Sequence, residues 1–234
     1  GEEHENIAIS LNSLGNLMQH LKRYEEAGPY YDEALAMHEK LLGEDHPYVI
    51  TDLVNLGWLH FNRGDYETAA EKFRGAEATG RRVYGESHPR LAEIISIHGR
   101  CEQKLGNSDE AEALLREAWA MSAEVYGPEH ISTSEFMNTL ASHLSDVGRY
   151  EESDELCDRV LAIQMEQLGE DHFTTARTAY NIAYDIYKRG DYDEAARRFR
   201  TSREIYTRVY GYEHKDTALV INSLGRALRD GGNL

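Results

Sequence analysis

The chain has 234 residues, 41% of them hydrophobic, and a formal net charge of −17. The apolar share supports a continuous core, while the acidity argues against nucleic acid and against anionic membrane surfaces, both of which are bound by Lys and Arg. No apolar run approaches the ~20 residues of a transmembrane helix, and two cysteines without a C-x-x-C motif, Cys101 and Cys157, point to a reducing, cytoplasmic setting rather than to disulfide staples.

Taken in order, the chain repeats one turn motif. It opens with Gly1-Glu2-Glu3-His4, then writes Gly43-Glu44-Asp45-His46-Pro47, Gly85-Glu86-Ser87-His88-Pro89, Gly127-Pro128-Glu129-His130, Gly169-Glu170-Asp171-His172 and Gly211-Tyr212-Glu213-His214. Each glycine is 42 residues from the last (43 − 1, 85 − 43, and so on), with no insertion between copies. A fixed period in this range marks a solenoid in which each unit packs on its neighbours. The expected organisation is one solenoid over 1–234, with repeats 1–42, 43–84, 85–126, 127–168 and 169–210 and a terminal half repeat 211–234. Because the pattern is cut partway, the segment is expected to be part of a larger chain.

The first half of each block carries one apolar stripe: Leu11, Leu14, Gly15 and Met18, then Leu53, Leu56, Gly57 and His60, and in the fifth block Ala179, Ile182, Ala183 and Ile186. Steps of three, one and three define a helix face. Pro47 and Pro89 suit a first helical turn, and Gly64, Gly106, Gly148, Gly190 and Gly232 suit its end. A second helix follows. Asp65, Asn107 and Asp191 are N-cap residue types, and Asn107 with Glu110 and Asp191 with Glu194 fit a capping box. Its small and aromatic positions read Tyr66, Ala69, Phe73 and Ala76, repeated as Tyr192, Ala195, Phe199 and Ser202. The prediction is an all-α chain of about eleven helices, five antiparallel pairs and a last first helix over roughly 216–229.

Leu56-Gly57 and Ile182-Ala183 in the first helix, with Ala69, Phe73 and Ala76 in the second, resemble the tetratricopeptide repeat, whose ordinary unit has 34 residues. The 42-residue unit with its Gly-Glu-Asp-His-Pro turn, and the partial matches Leu11-Asn12-Ser13-Leu14-Gly15, Val54-Asn55-Leu56-Gly57 and Tyr180-Asn181-Ile182-Ala183 to a Leu-Asn-Asn-Leu-Ala signature, resemble the kinesin light chain variety. The resemblance implies a right-handed α-solenoid whose first helices line a concave groove, with inward positions at the ninth, twelfth, thirteenth and sixteenth residues of each block and the nineteenth one turn on. Here these hold Asn12 and Asn16, then Asn55, Trp58 and Phe61, then Arg100 and Gln103, then Asn138. The fifth block supplies Arg177, Tyr180, Asn181, Tyr184 and Tyr187, and the last supplies Asn222, Arg226 and Arg229. In kinesin light chains that groove takes tryptophan-and-acidic peptides. Val54, Ser96, Ile97 and Thr139 replace several of the family's asparagines, so that preference transfers only loosely.

Amides can bond an extended peptide backbone, arginine grips carboxylates, and aromatics and arginine dominate binding hot spots. The expected function is therefore a non-catalytic protein–protein interaction module that holds a peptide or protein segment with apolar anchors and carboxylates. The alternative is a sensor or regulatory repeat domain of a larger signalling or ATPase-linked protein. No catalytic motif appears, and neither a cofactor nor a metal is expected. The histidine series reads as turn and cap residues, because equivalent atoms of stacked helix pairs lie about 10 Å apart and zinc needs ligands ~2 Å from one centre. For Trp58 and Tyr180, packing between adjacent first helices is the competing role. Cys157 aligns with Phe73 and Phe199 and reads as core, and Cys101 is placed near the groove side.

Overall fold

The computed structural model describes residues 4–232, so Gly1, Glu2 and Glu3 of the first turn motif lie outside the described residues. Among these residues there are eleven α-helices and no strand. They group into two compact units, divided after Pro128. Unit 1 pairs α1 (Glu5–His20) with α2 (Tyr24–Leu42), α3 (Pro47–Arg63) with α4 (Tyr66–Tyr84), and α5 (Pro89–Leu105) with α6 (Ser108–Tyr126). Unit 2 pairs α7 (Ile131–Asp146) with α8 (Tyr150–Leu168) and α9 (Phe173–Lys188) with α10 (Tyr192–Tyr210), and ends on α11 (Lys215–Asp230).

Every first helix begins in the same way. His4, His46, His88, His130, His172 and His214 each have extended backbone, and each Nδ1 accepts the N–H of the residue two further on, at 3.1–3.3 Å. One orphan donor of the first turn is thereby satisfied by a ring nitrogen in place of the usual hydroxyl or carboxylate. Pro47 and Pro89 follow at the first helical position. The rings of His88 and His214 also stack on Tyr84 and Tyr210, with centroids 4.4 and 4.7 Å apart.

The turn between the helices of a pair uses a left-handed residue. Gly64 and Gly190 have φ of 81° and 87°, a region that penalises a Cβ. In the α1–α2 turn the equivalent residue is Lys22 at φ 58°, the only non-glycine at positive φ among the described residues. Second helices start less uniformly. Asp65 and Asp191 accept the N–H of Thr68 and Glu194 at 3.3 and 3.1 Å. Asn107, expected as a third cap, makes no such bond: its amide donates to Glu102 at 2.7 Å, a charged acceptor that outcompetes the neutral cap. The reciprocal half of the capping box is also diverted, since Glu194 pairs with Arg198 at 2.7 Å.

The second to fifth repeats also close on their own turns. Arg82 holds Asp45 at 2.6 Å, Ser87 donates to Glu124 at 2.7 Å, Gln167 donates to the Glu129 carbonyl, and Arg208 holds Asp171 at 2.8 Å. Inside the pair, a ring from the second helix lies on a glycine of the first. A Cβ on Gly15 would stand 2.6 Å from the Tyr31 ring, and one on Gly57 would stand 2.5 Å from the Phe73 ring. Both rings are fully buried. The glycine here serves close helix approach, and the packed ring fills the space that results.

Candidate functional site

The expected binding residues all lie on first helices, but the two units use them differently. In unit 1 much of the set is turned into internal contacts. Asp52, on α3, is completely buried and faces His38 of α2 at 2.5 Å. Asn12 donates to the same carboxylate, and Asn55 donates to Asn12 at 2.6 Å. A buried carboxylate needs such partners to persist. Burial still raises its pKa above the ordinary value, against the opposing pull of His38 and Asn12. Asn16 accepts the Tyr31 hydroxyl at 2.9 Å, with Gln19 beside it at 3.2 Å, and burial pushes that phenol up to about 12.

Trp58 is half-buried, edge-on to Phe61 at 5.4 Å and to Phe73 at 5.7 Å, with the Arg100 guanidinium 5.5 Å from its ring. Phe61 continues this cluster onto Tyr66 at 5.2 Å. Trp58 therefore does pack inward, with Arg100 as its exposed lid. Gln103 is half-buried on the following turn of α5. Cys101 is not near the groove side. It is fully buried between α4 and α5, donates to the Tyr66 carbonyl at 3.3 Å, and burial raises its thiol to about 11. The stripe that carries Leu59 and Cys101 faces the preceding second helix, which the spacing alone did not distinguish from the groove side.

Nearby, His98 lies between Glu77 at 2.8 Å and Glu102 at 3.2 Å. His98, Glu102 and Glu110 place possible ligand atoms within 4.8 Å of one another. Arg74 at 3.2 Å and Asn107 at 2.7 Å already engage Glu102, so this group is accounted for as an internal ion network.

Unit 2 displays its set. Tyr180, Tyr184 and Tyr187 run along α9 with ring centroids 6.0 and 6.3 Å apart and interplanar angles of 14° and 25°. Tyr180 is the anchored end, resting on Phe199 at 5.8 Å, with its hydroxyl 3.3 Å from Ser223 of α11. Tyr184 is 37% exposed, with Lys188 5.3 Å from its ring. Tyr187 donates to Asp230 at 2.6 Å and carries the Arg226 guanidinium 5.3 Å over its face. That bond raises the Tyr187 phenol and holds the Asp230 carboxyl below its usual range. Arg177, Asn181, Asn222 and Arg229 are exposed on the same helices, Arg229 turned to Asp230 at 3.1 Å. Asn138 of α7 and Asn181 of α9 line a cavity that sequence reasoning missed, together with Asp185 and Arg189. Its signal was present: Cys157 stands where the alignment puts a ring.

No helix among the described residues is long and apolar enough to cross a membrane. No curated protein sequence matches the chain. Among solved structures, the kinesin light chain TPR-like repeats of Podosopora anserina are similar at 23% identity and a TM-score of 0.77, over 89% of this chain and 99% of theirs. BtubC (BKLC) from P. vanneervenii is similar at 18% identity and a TM-score of 0.70, over 91% and 84%. These likenesses show the fold. The Tetratricopeptide repeat family profile matches residues 6–79, 60–124, 132–199 and 174–234, which together span most of the chain. Tetratricopeptide repeats are in general protein–protein interaction modules, and with the histidine-capped helix pairs and the profile match in agreement, this chain belongs to the tetratricopeptide-repeat family.

Proposed function

We propose that the chain is a non-catalytic interaction module that holds a peptide or protein segment on its first-helix surface, with unit 2 supplying the main contacts. The observation that carries this reading is the ladder of half-buried Tyr180, exposed Tyr184 and half-buried Tyr187, with Arg226 over the Tyr187 ring. A run of stacked phenols costs little side-chain entropy to present and offers apolar faces with polar tips. Arg177 and Arg226 bring positive charge to this surface in a chain of net charge −17. A segment with one or two apolar anchors and a few carboxylates matches that combination. Both cysteines are free thiols, in keeping with a reducing, cytoplasmic setting.

The test is recovery of partners by pull-down with the wild-type fragment and with Tyr184→Ala/Arg226→Ala, with helicity checked in both. Removing an aromatic anchor and a cation together is expected to cost ~2 kcal/mol or more of binding. Equal recovery of every specific partner would move the binding site away from this surface.

A further inference from the structure

The strongest unassigned feature is the cavity of about 310 Å³ bounded by α7, α8 and α9, all within unit 2. Its origin is legible by stepping through the 42-residue period. Tyr31, Phe73 and Phe199 are equivalent positions, each a fully buried ring, and the third repeat fills the place with Leu115. The fourth repeat has Cys157, only half-buried. The first-helix residues beneath the rings of Tyr31 and Phe73 are Gly15 and Gly57, and their equivalent is Ala141. Ala141 and Cys157 both line the cavity. The hole is therefore the place a six-membered ring takes in sister repeats, left unfilled in this one.

Its walls are polar in a pattern that matches one of those rings. The Tyr31 hydroxyl is taken by Asn16 at 2.9 Å and Gln19 at 3.2 Å. Stepped by three periods, these positions are Ser142 and Ser145, and both line the cavity. Two carboxylates also line it: Asp154, whose two oxygens both accept from one Arg189 guanidinium nitrogen at 2.9 and 3.0 Å, and Asp185, paired with Lys188 at 2.6 Å. Asp185 occupies the position of the buried Leu59 and Cys101, so a second substitution opens the same place to polar contact. A phenol entering the cavity finds hydroxyl and carboxylate acceptors on its wall, because a carboxylate in an ion pair keeps lone pairs to spare. Asn138, Asn181 and Tyr184, at positions expected to face the binding groove, also line the cavity and connect it to the ladder.

We propose that this cavity is a seat for a tyrosine side chain of the segment bound on the first-helix surface. The partner's ring replaces the one the fourth repeat lacks, and its hydroxyl bonds to the polar wall. The inference rests on the interaction reading above but is tested without a partner protein. N-acetyl-tyrosinamide is titrated into the ¹⁵N,¹³C-labelled fragment, following the methyls of Ala141 and Ile182 and the amides of Asn138 and Asn181. Saturable shifts are expected at these groups, at least tenfold weaker with N-acetyl-phenylalaninamide, and lost in Cys157→Leu, which fills the seat as Leu115 does in the third repeat.

Cys157→Leu is also expected to raise the melting temperature. If it fails to fold, Ser142→Ala/Ser145→Ala should weaken N-acetyl-tyrosinamide more than the phenylalanine analogue. Free phenol is the second arm: binding of phenol but not of the blocked amino acid would show a small-molecule cavity and overturn the peptide assignment. Arg226→Ala should leave the titration unchanged while reducing partner recovery, so the two readings fail separately. Absence of saturable binding, or equal binding to wild type and Cys157→Leu, overturns the proposal.

Discussion

Unit 1 and unit 2 are built on the same period, yet they spend their first-helix residues in opposite ways. In unit 1, Asn12 and Asn55 are bonded toward the buried Asp52, Asn16 holds Tyr31, and Trp58 is wedged against Phe73. In unit 2, Tyr184 is exposed between half-buried Tyr180 and Tyr187, Arg177 and Asn181 are exposed beside it, and one ring seat stands open. One residue pattern on one repeat thus yields a self-satisfied surface in the first case and a displayed surface in the second. What separates them is where the partners lie: those of Asn12, Asn16 and Asn55 lead to buried Asp52 and Tyr31, whereas Tyr187 is held by exposed Asp230 and Arg226. Residue type at a first-helix position does not decide that by itself.

The largest expected effect tests the filled seat against the open one. Gly57→Ala places a Cβ 2.5 Å from the fully buried Phe73 ring and should cost ~3 kcal/mol, the upper end of ordinary overpacking. Ala141→Val, beside the Cys157 seat, should cost under about 1 kcal/mol because the added methyls have space. Urea unfolding of both variants checks the contrast, and equal losses would mean that the fourth repeat is packed as tightly as the second.

Next in size is the polar commitment of unit 1. Asp52→Ala strands His38 and Asn12 in the interior and should cost about 2 kcal/mol. The pH dependence has opposite signs in the two units. Asp52 has a raised folded pKa, so its contribution is present below the unfolded carboxylate range and is lost as pH rises through the raised value. Asp230 has a lowered one, so its contribution is present above the unfolded range and is lost as pH falls through the lowered value. Denaturant midpoints from about pH 3.5 to 7 should show wild type losing ground to Asp52→Asn as pH rises, and gaining ground over Asp230→Asn. A wild type that gained on Asp52→Asn with rising pH would mean that the His38 pairing outweighs burial.

The smallest effect is local. Lys22→Gly removes the left-handed strain of the α1–α2 turn and should stabilise by about 1 kcal/mol, while Gly190→Val, at the equivalent turn of unit 2, should destabilise by a similar amount. Paired thermal melts decide it. No gain in Lys22→Gly would show that its side chain holds the turn in a way glycine cannot.

Much of this fold was legible because its signals are local and recur in phase. The histidine, the glycine and the three-one-three stripe each specify a helix start, a helix end or a buried face from a few neighbouring residues, and their recurrence removes ambiguity. The assignments that failed depended on competition between distant groups. Asn107 looks like a cap until Glu102, five residues back on the preceding helix, takes its amide. Cys101 looks accessible until α4 covers it. On the candidate site, the positions were readable, but not that Asp52 and His38 would draw Asn12 and Asn55 inward, because those contacts span 40 and 43 residues. The open seat was readable in principle, as one small residue in a column of large ones. Read alone, Cys157 passed as another core position.

The histidine caps and the clasps of Asp45 by Arg82 and Asp171 by Arg208 have one property in common. Each is completed within a single 42-residue block, over two residues for a cap and 37 for a clasp. Removing or duplicating one whole block therefore cuts none of them, and the joined chain still has a histidine at the start of every first helix and a partner for every clasp. What such an event changes is only which block borders which. The number of repeats is then free to drift by duplication and loss, while a change such as Cys157 in one block can alter what that block accommodates without disturbing the rule by which all of them fold.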